Sequence, residues 1–218
     1  MSEEKSLGKP EEENQQVKEV GKGLFIDRLE DEYKLMGWEK FKPIPHSPKS
    51  GDGAGKDAWT FISIDTNKPE LKIDENVEKD TAAYVVDYIQ GIIRINLEKS
   101  WVVTKEKKPA LLTHEQGHYH IWYIMLIDRL RKIQALKVKV PVPPSKITSS
   151  NIKSITGKCQ KLIDEKIQRI KEESLSEISR LNNLYDKQTN HGTNSNQQNA
   201  WNLILAKHLE SGLPLEQK

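Results

Sequence analysis

The chain has 218 residues, of which 35% are hydrophobic and 30% are charged, so its length and apolar content allow one domain with a buried core. Its 34 basic and 32 acidic residues leave a net charge of +2, and this near balance gives no electrostatic argument for nucleic acid as a partner. The single cysteine excludes an intramolecular disulfide framework, and no run of about twenty apolar residues is present to span a membrane.

The first twenty residues are rich in Glu, Lys and Gln and carry almost nothing to bury. They predict a disordered polar tail over residues 1–20, followed by a single domain over residues 21–218. The tail has no apolar core and is therefore not a signal peptide. Residues 43–55, which contain three prolines and three glycines, predict a long surface loop.

From residue 58 onward, short runs rich in β-branched and aromatic residues predict strands. The clearest runs cover residues 58–64, 71–73 and 83–97, and Gly91 marks a bulge or a turn within the last of them. The connections between these runs are short, which favours antiparallel pairing. We therefore expect a small antiparallel sheet ahead of the helices.

A helix is predicted from about Ala110 to Leu136, and its first half contains the pattern His-Glu-x-x-His. Residues four apart lie on the same face of a helix, so His114 and His118 can offer two imidazole nitrogens to one Zn²⁺. Glu115 then lies close enough to reach a metal-bound water. The alternative is a pair of core histidines that bond to the backbone. Gly117 costs roughly 1 kcal/mol in a helix interior, which indicates that another element approaches closely there.

An apolar stripe predicts a second long helix from about Ser149 to Asn183. Polar turn formers over residues 185–194 are expected to end it, and a third amphipathic helix is predicted from Gln197 to about Leu209. The second helix also carries three glutamates whose spacing is typical of a solvated helix face, although each is a conceivable metal ligand: Glu172, Glu173 and Glu177.

A catalytic zinc usually takes three protein ligands, so a third must come from outside the first helix. His191 is the best placed nitrogen donor, and Asp186 is the second choice. Asp186 and Thr189 are also candidates for orienting an imidazole. Such a site activates a water for attack on a peptide carbonyl, with Glu115 as the general base. A neighbouring hydroxyl, from Tyr185 or Tyr119, is a candidate donor to the oxyanion.

Three motifs resemble a bacterial family of predicted secreted or periplasmic zinc-dependent proteases, long described as a domain of unknown function. They are Trp38-x-x-Phe41, then Ser100-Trp101-Val102 leading to Leu111-Leu112-Thr113-His114-Glu115-Gln116-Gly117-His118, and finally Tyr185-Asp186-x-x-Thr189-x-His191-Gly192. Their order and spacing fit over most of the chain, from about residue 34 to residue 205. The chain departs from the family at Tyr119-His120, where Phe-Asp is expected, and His120 points away from the ligand face.

The resemblance implies an α+β, zincin-like fold, in which a small antiparallel sheet packs beside the long helix and further helices follow. It implies His114 and His118 as zinc ligands, Glu115 as the catalytic base, and a site lined by His191 and Asp186. The implied activity is that of a zinc-dependent metalloprotease acting on a peptide or protein substrate, in an exported protein of unknown oligomeric state. The alternatives are a non-catalytic envelope or interaction protein that retains the fold and a helical binding module with a structural metal site.

Overall fold

The structure is a computed structural model that describes residues 16–21, 24–28, 37–51, 53–73, 81–141, 148 and 152–215. Most of the expected tail, residues 1–15, lies outside the described residues, whereas residues 16–20 belong to a strand. The strands are β1 (Gln16–Gly21), β2 (Leu24–Arg28), β3 (Lys42–Ile44), β4 (Ala58–Trp59), β5 (Ile62–Thr66), β6 (Glu70–Ile73), β7 (Thr81–Ile95), β8 (Trp101–Val103) and β9 (Lys137–Pro141). The helices are α1 (Pro109–Gln134), α2 (Ile152–Thr189) and α3 (Ser195–Ser211).

Strand β7 organises the larger sheet because it is long enough to hold different partners along its two halves. Its first half pairs with β6 and β9, both antiparallel. Its second half lies between β2, which is parallel to it, and β5, which is antiparallel, and β1 extends the sheet beyond β2. In the smaller sheet, β8 lies between the parallel β3 and the antiparallel β4.

The antiparallel pairing predicted among the runs is confirmed, because β5 and β6 both pair antiparallel with β7. The sheets as a whole are nevertheless mixed, because β2 and β3, which lie outside those runs, pair parallel with β7 and β8 across long stretches of chain. The expected strand over residues 58–64 is interrupted at Thr60 and Phe61, so that β4 and β5 belong to different sheets. This interruption brings Thr60 to the candidate site described below.

Helix α1 packs against β7 on one side and against α2 and α3 on the other. It begins with Pro109 at its first turn, where the missing N–H costs nothing. Gly91 of β7 lies under the helix, and a Cβ there would come within 2.9 Å of the side chains of Leu126 and Leu130. Gly91 therefore permits close helix-to-sheet packing within a regularly paired strand, and the expected bulge or turn is absent.

The core has two parts because α1 is apolar on both sides. One part joins α1 to the sheet through residues such as Leu126, Leu130 and Ile89. The other joins α1 to α2 and α3 through residues such as Ile121 and Ile178. The fold is α+β, and among the described residues no helix has the length and apolar character needed to cross a membrane.

Candidate metal centre

Three polar atoms from α1 and α2 meet at one point. The Nε2 atoms of His114 and His118 lie 3.2 Å apart on neighbouring turns of α1. Oδ1 of Asp186, on α2, lies 3.0 Å from Nε2 of His114 and 2.9 Å from Nε2 of His118. The two histidines of the sequence motif therefore share a partner, and that partner is the carboxylate of Asp186.

The other ring nitrogens establish which atoms face the centre. Nδ1 of His118 bonds to the amide oxygen of Asn182, and Nδ1 of His114 lies 3.3 Å from the amide oxygen of Gln198. An amide oxygen only accepts hydrogen bonds, so each Nδ1 carries a hydrogen, and the Nε2 of each ring in its neutral form presents a lone pair. Two imidazole lone pairs and one carboxylate oxygen therefore point at one another. This arrangement requires a cation between them, either a proton or a metal ion.

The separations of these atoms suit a small metal ion. Zinc binds imidazole nitrogen and carboxylate oxygen at about 2.0–2.1 Å, so tetrahedral ligands lie about 3.3 Å from one another. The separations of 2.9, 3.0 and 3.2 Å are close to that edge length. Ligand atoms of His114, Asp186 and His191 also lie within 4.8 Å of one another, and this group could hold a metal ion.

His191, which was predicted from the sequence as the third ligand, belongs to the group that could hold a metal ion but lies at its exposed edge. Its Nδ1 is 3.5 Å from Oδ1 of Asp186, and its side chain is 55% exposed. By contrast, the side chains of His114 and Glu115 are 2% and 4% exposed. His191 is thus placed at the rim of the centre, where it contacts the carboxylate of Asp186.

The pKa values of Asp186 and His118 depend on their burial and on the hydrogen bond between them. Burial raises the pKa of Asp186, but hydrogen bonds from His114, His118 and Lys56 outweigh it and hold that pKa well below its usual range. Burial lowers the pKa of His118, but the hydrogen bond to Asp186 and the negative charges of Glu115 and Asp186 produce a net rise. In the metal-free chain, a proton on Nε2 of His118 therefore takes the place of the cation beside the ionised carboxylate of Asp186.

The loop ahead of β4 supplies a third segment of the site, which the sequence analysis did not assign. Nζ of Lys56 lies 2.9 Å from Oδ2 of Asp186, the oxygen that does not contact the histidines. The preceding glycines, Gly51, Gly53 and Gly55, all have positive φ. This conformation is accessible to glycine at little cost, which lets the loop turn back towards α2. No motif marked Lys56, because a lone lysine after a glycine-rich stretch resembles any solvated loop residue.

Glu115 is held by a residue that the sequence analysis also missed. The hydroxyl of Thr60 donates a hydrogen bond to Oε2 of Glu115. Thr60 lies between β4 and β5, so the interruption of the expected strand is what directs it to α1. Lys56 and Thr60 thus connect one short segment of chain to both acidic residues of the site.

Tyr185 supports the centre from within the core. Its hydroxyl donates to the backbone oxygen of His114 at 3.1 Å and accepts from Nε2 of Gln198 at 2.6 Å, and its ring stacks on that of His114. Burial raises its pKa far above the usual value. A Cβ at Gly117 would lie 2.1 Å from this hydroxyl, which confirms the close approach predicted there. The hydroxyl of Tyr185 already donates its hydrogen to His114 and accepts from Gln198. The expectation that it donates to an oxyanion is therefore wrong.

The end of α2 differs from the prediction. Residues 185–189 continue the helix, and within it the hydroxyl of Thr189 donates to the carbonyl oxygen of Tyr185 at 2.7 Å. Thr189 also lies 3.3 Å from Nδ1 of His114, in the orienting position proposed for it. The chain then reverses through Asn190, His191 and Gly192, all with positive φ. A side chain at Gly192 would collide with His114, at 2.8 Å between Cβ atoms.

The remaining candidates lie away from the centre. Tyr119 is buried, and it is not among the residues that line the cavity beside the histidines. Glu172 and Glu173 are exposed, and Glu177 forms an ion pair with Arg180 at 2.6 Å. The three glutamates of α2 therefore behave as the solvated face that their spacing indicated.

A cavity of about 670 Å³ opens over the centre. Its polar wall includes Lys56, His114, Glu115, His118 and Asp186. Its apolar wall is formed by large side chains that come from all three segments: Trp59, Phe61, Leu111, Trp122, Leu175 and Ile178. The volume lies in the range of clefts that bind small organic ligands or part of a peptide.

The chain was also compared with family models, with curated proteins and with solved structures, and none of them matches it.

Proposed function

We propose that the protein is a zinc-dependent metallopeptidase. The observation that carries the proposal is the meeting of Nε2 of His114, Nε2 of His118 and Oδ1 of Asp186 within 3.2 Å of one another, beside the buried carboxylate of Glu115. Two imidazoles and one carboxylate are a set of ligands found in catalytic zinc sites. The resemblance of the three motifs supports, as part of the same proposal, a relationship to the predicted exported proteases and a place outside the cytoplasm.

In this proposal His114, His118 and Asp186 hold the metal, and His191 stays at the rim. The orienting contacts favour this choice, because His114 and His118 each have their second nitrogen fixed by an amide oxygen. Zinc, when bound, supplies Lewis acidity and lowers the pKa of a water to about 7. A fourth position left open for water is what distinguishes a catalytic site from a structural one.

The proton transfer in this proposal is carried out by Glu115. Glu115, oriented by Thr60, accepts a proton from the water as the water oxygen bonds to the carbonyl carbon and the C=O electron pair moves onto oxygen. When that pair returns, the C–N bond breaks and Glu115 delivers the proton to the departing nitrogen. The products are a carboxylic acid and an amine, and Glu115 is regenerated.

The cavity supports a peptide as the substrate class. Its polar wall follows one side of α1 and α2, and its apolar wall carries two tryptophans and a phenylalanine. An apolar wall of this kind binds side chains of a substrate, and the polar groups contact the scissile bond. We therefore propose cleavage of peptides or proteins that present an extended segment to this cleft.

One observation favours a second candidate function. Nδ1 of His191 lies only 3.5 Å from Oδ1 of Asp186. If a small movement brings His191 onto the metal, four protein ligands close the site and leave no position for water. The protein would then be a non-catalytic metal-binding protein of the same fold.

The decisive experiment compares the zinc-loaded wild type with Glu115→Gln. We expect one zinc per chain in both proteins, measured by atomic emission, because glutamine at this position removes no ligand. Cleavage of a mixed peptide library, followed by mass spectrometry, should occur with the wild type and fall at least about a thousandfold in Glu115→Gln. Equal inertness of the two zinc-loaded proteins would favour the non-catalytic function, and a wild type that binds no zinc would overturn both.

A further inference from the structure

Peptide hydrolysis places negative charge on the carbonyl oxygen, and a fixed donor at that oxygen contributes strongly to the rate. Neither tyrosine considered from the sequence can serve, because Tyr185 is committed within the core and Tyr119 does not line the cavity. Among the described residues that line the cavity, Lys56 is the sole lysine or arginine. A lysine or arginine donor to the oxyanion is therefore to be sought in the loop ahead of β4.

The position of Lys56 relative to the metal centre is fixed through one carboxylate. Oδ1 of Asp186 contacts both histidines, and its Oδ2 accepts from Nζ of Lys56 at 2.9 Å. The ammonium group also lies 4.8 Å from the centre of the Trp59 ring. It is thus held between a carboxylate and an aromatic face, with 30% of the side chain exposed.

Lys56 and the proposed base are held by different partners in the site. The segment over residues 56–60 contacts Asp186 through Lys56 at its start and Glu115 through Thr60 at its end. Lys56 and Glu115 both line the cavity, so a substrate carbonyl bound there faces both the ammonium group and the base. An ammonium group has three N–H donors, so the bond to Asp186 leaves two for a substrate oxygen.

We infer that Lys56 is a catalytic residue that donates a hydrogen bond to the carbonyl oxygen of the scissile peptide bond as that oxygen becomes negatively charged. The inference rests on the proposed peptidase function. Lys56 keeps its proton throughout: the C=O electron pair moves onto oxygen, is stabilised there by the N–H, and returns to re-form the carbonyl as the C–N bond breaks. Glu115 carries the transferred proton from water to nitrogen, so the roles of the two residues are distinct.

The test uses the zinc-loaded full chain and the variants Lys56→Met and Lys56→Arg. The substrate is an internally quenched peptide with both termini blocked, and the tetrahedral state is represented by a phosphinic analogue of the same peptide. Lys56→Met should lower kcat about 10²–10³-fold, with KM changed less than about threefold. Affinity for the phosphinic peptide, measured by calorimetry, should fall by a similar factor. Lys56→Arg should recover part of both losses because it retains a charged donor.

Three results would overturn the inference while the wild type remains active: an unchanged kcat in Lys56→Met, a loss of zinc affinity as large as the loss of kcat, or a KM effect confined to peptides with a free C-terminal carboxylate. The second result would make Lys56 a positioning residue for Asp186, and the third would make it a substrate anchor. Lys166→Met, which removes an exposed lysine on α2 outside the cavity, is the matched control. A zinc-loaded wild type that neither cleaves peptides nor binds the phosphinic analogue would instead overturn the proposed function, and the inference with it.

Discussion

Nε2 of His114 lies 3.0 Å from Oδ1 of Asp186, which stands 72 residues further along the chain. This contact joins α1 to α2 beside the cavity, and it makes a carboxylate the shared partner of the histidine pair. In the proposed zinc site, a carboxylate and two neutral imidazoles would leave one positive charge on the divalent metal. A third imidazole would leave two, so the identity of the third ligand sets the electrophilicity of the site.

The choice between Asp186 and His191 leads to a prediction about zinc affinity. Asp186→Asn preserves the shape of the side chain but removes its charge and replaces one carboxylate oxygen with an NH2 group. It should therefore weaken zinc binding at least about a hundredfold. His191→Ala should weaken it less than about tenfold, because that side chain is 55% exposed at the rim. Competition with a chromophoric chelator gives both constants. The reverse order of the two losses would identify His191 as the ligand.

The raised pKa of His118 predicts opposite pH dependences for the metal-free and zinc-loaded protein. Below pH 6.5 the folded and unfolded chains both hold this proton, and the stabilisation is fully present. As the pH rises above 6.5 the unfolded chain loses the proton first, so the metal-free protein should lose stability until the folded pKa is passed. Zinc needs the deprotonated imidazole, so its own stabilisation should grow over the same window.

Urea unfolding from about pH 6 to about pH 8.5 measures both slopes, once with a chelator and once with excess zinc. His118→Gln should flatten both. A metal-free protein whose free energy of unfolding increases with pH across this window would contradict the assignment of the proton to His118.

Two glycines in helices offer a matched pair of substitutions. Gly117→Ala puts a methyl group where the hydroxyl of Tyr185 lies, and it should cost about 1–3 kcal/mol of unfolding free energy and weaken zinc binding. Gly157→Ala on α2 meets nothing within 4 Å and should stabilise the protein by about 0.5–1 kcal/mol. Thermal denaturation distinguishes the two signs. Equal effects would mean that helix propensity, and not the contact with Tyr185, determines the result.

The hydrogen bond from Thr60 to Glu115 predicts a positioning role. Thr60→Val keeps the shape and removes the donor, so the pH at which kcat is half-maximal should move and kcat should fall about tenfold or more. Thr60→Ser, which retains the hydroxyl, should stay within about threefold of the wild type. An unaltered pH profile in Thr60→Val would show that Glu115 does not depend on this bond.

The features that local spacing determines could be predicted from the sequence. The bounds of α1 follow from Pro109 and the apolar pattern, and the facing of His114 and His118 follows from helix geometry. The tight contact at Gly117 follows from the cost of glycine in a helix. These predictions needed no knowledge of how the elements pack.

The features that depend on tertiary packing could not be predicted in the same way. Turn-forming residues after Asn183 indicated a loop, but contacts with His114 stabilise them as helix and make Asp186 the nearest partner. The interruption at Thr60 is invisible in an alternating apolar pattern, because the residue that Thr60 contacts, Glu115, lies on another element. Lys56 reaches the site through a loop whose path depends on three glycines.

The reversal at Asn190, His191 and Gly192 has a consequence for where the chain can be divided. It sends α3 back along the rear of the site, so that Gln198 bonds both to the ring of His114 and to the hydroxyl of Tyr185. Helix α3 contains none of the motif residues and would be the natural piece to discard in a minimal fragment. A fragment that keeps the site intact must nevertheless extend beyond Gly192 and include α3, because Gln198 of α3 orients the imidazole of His114.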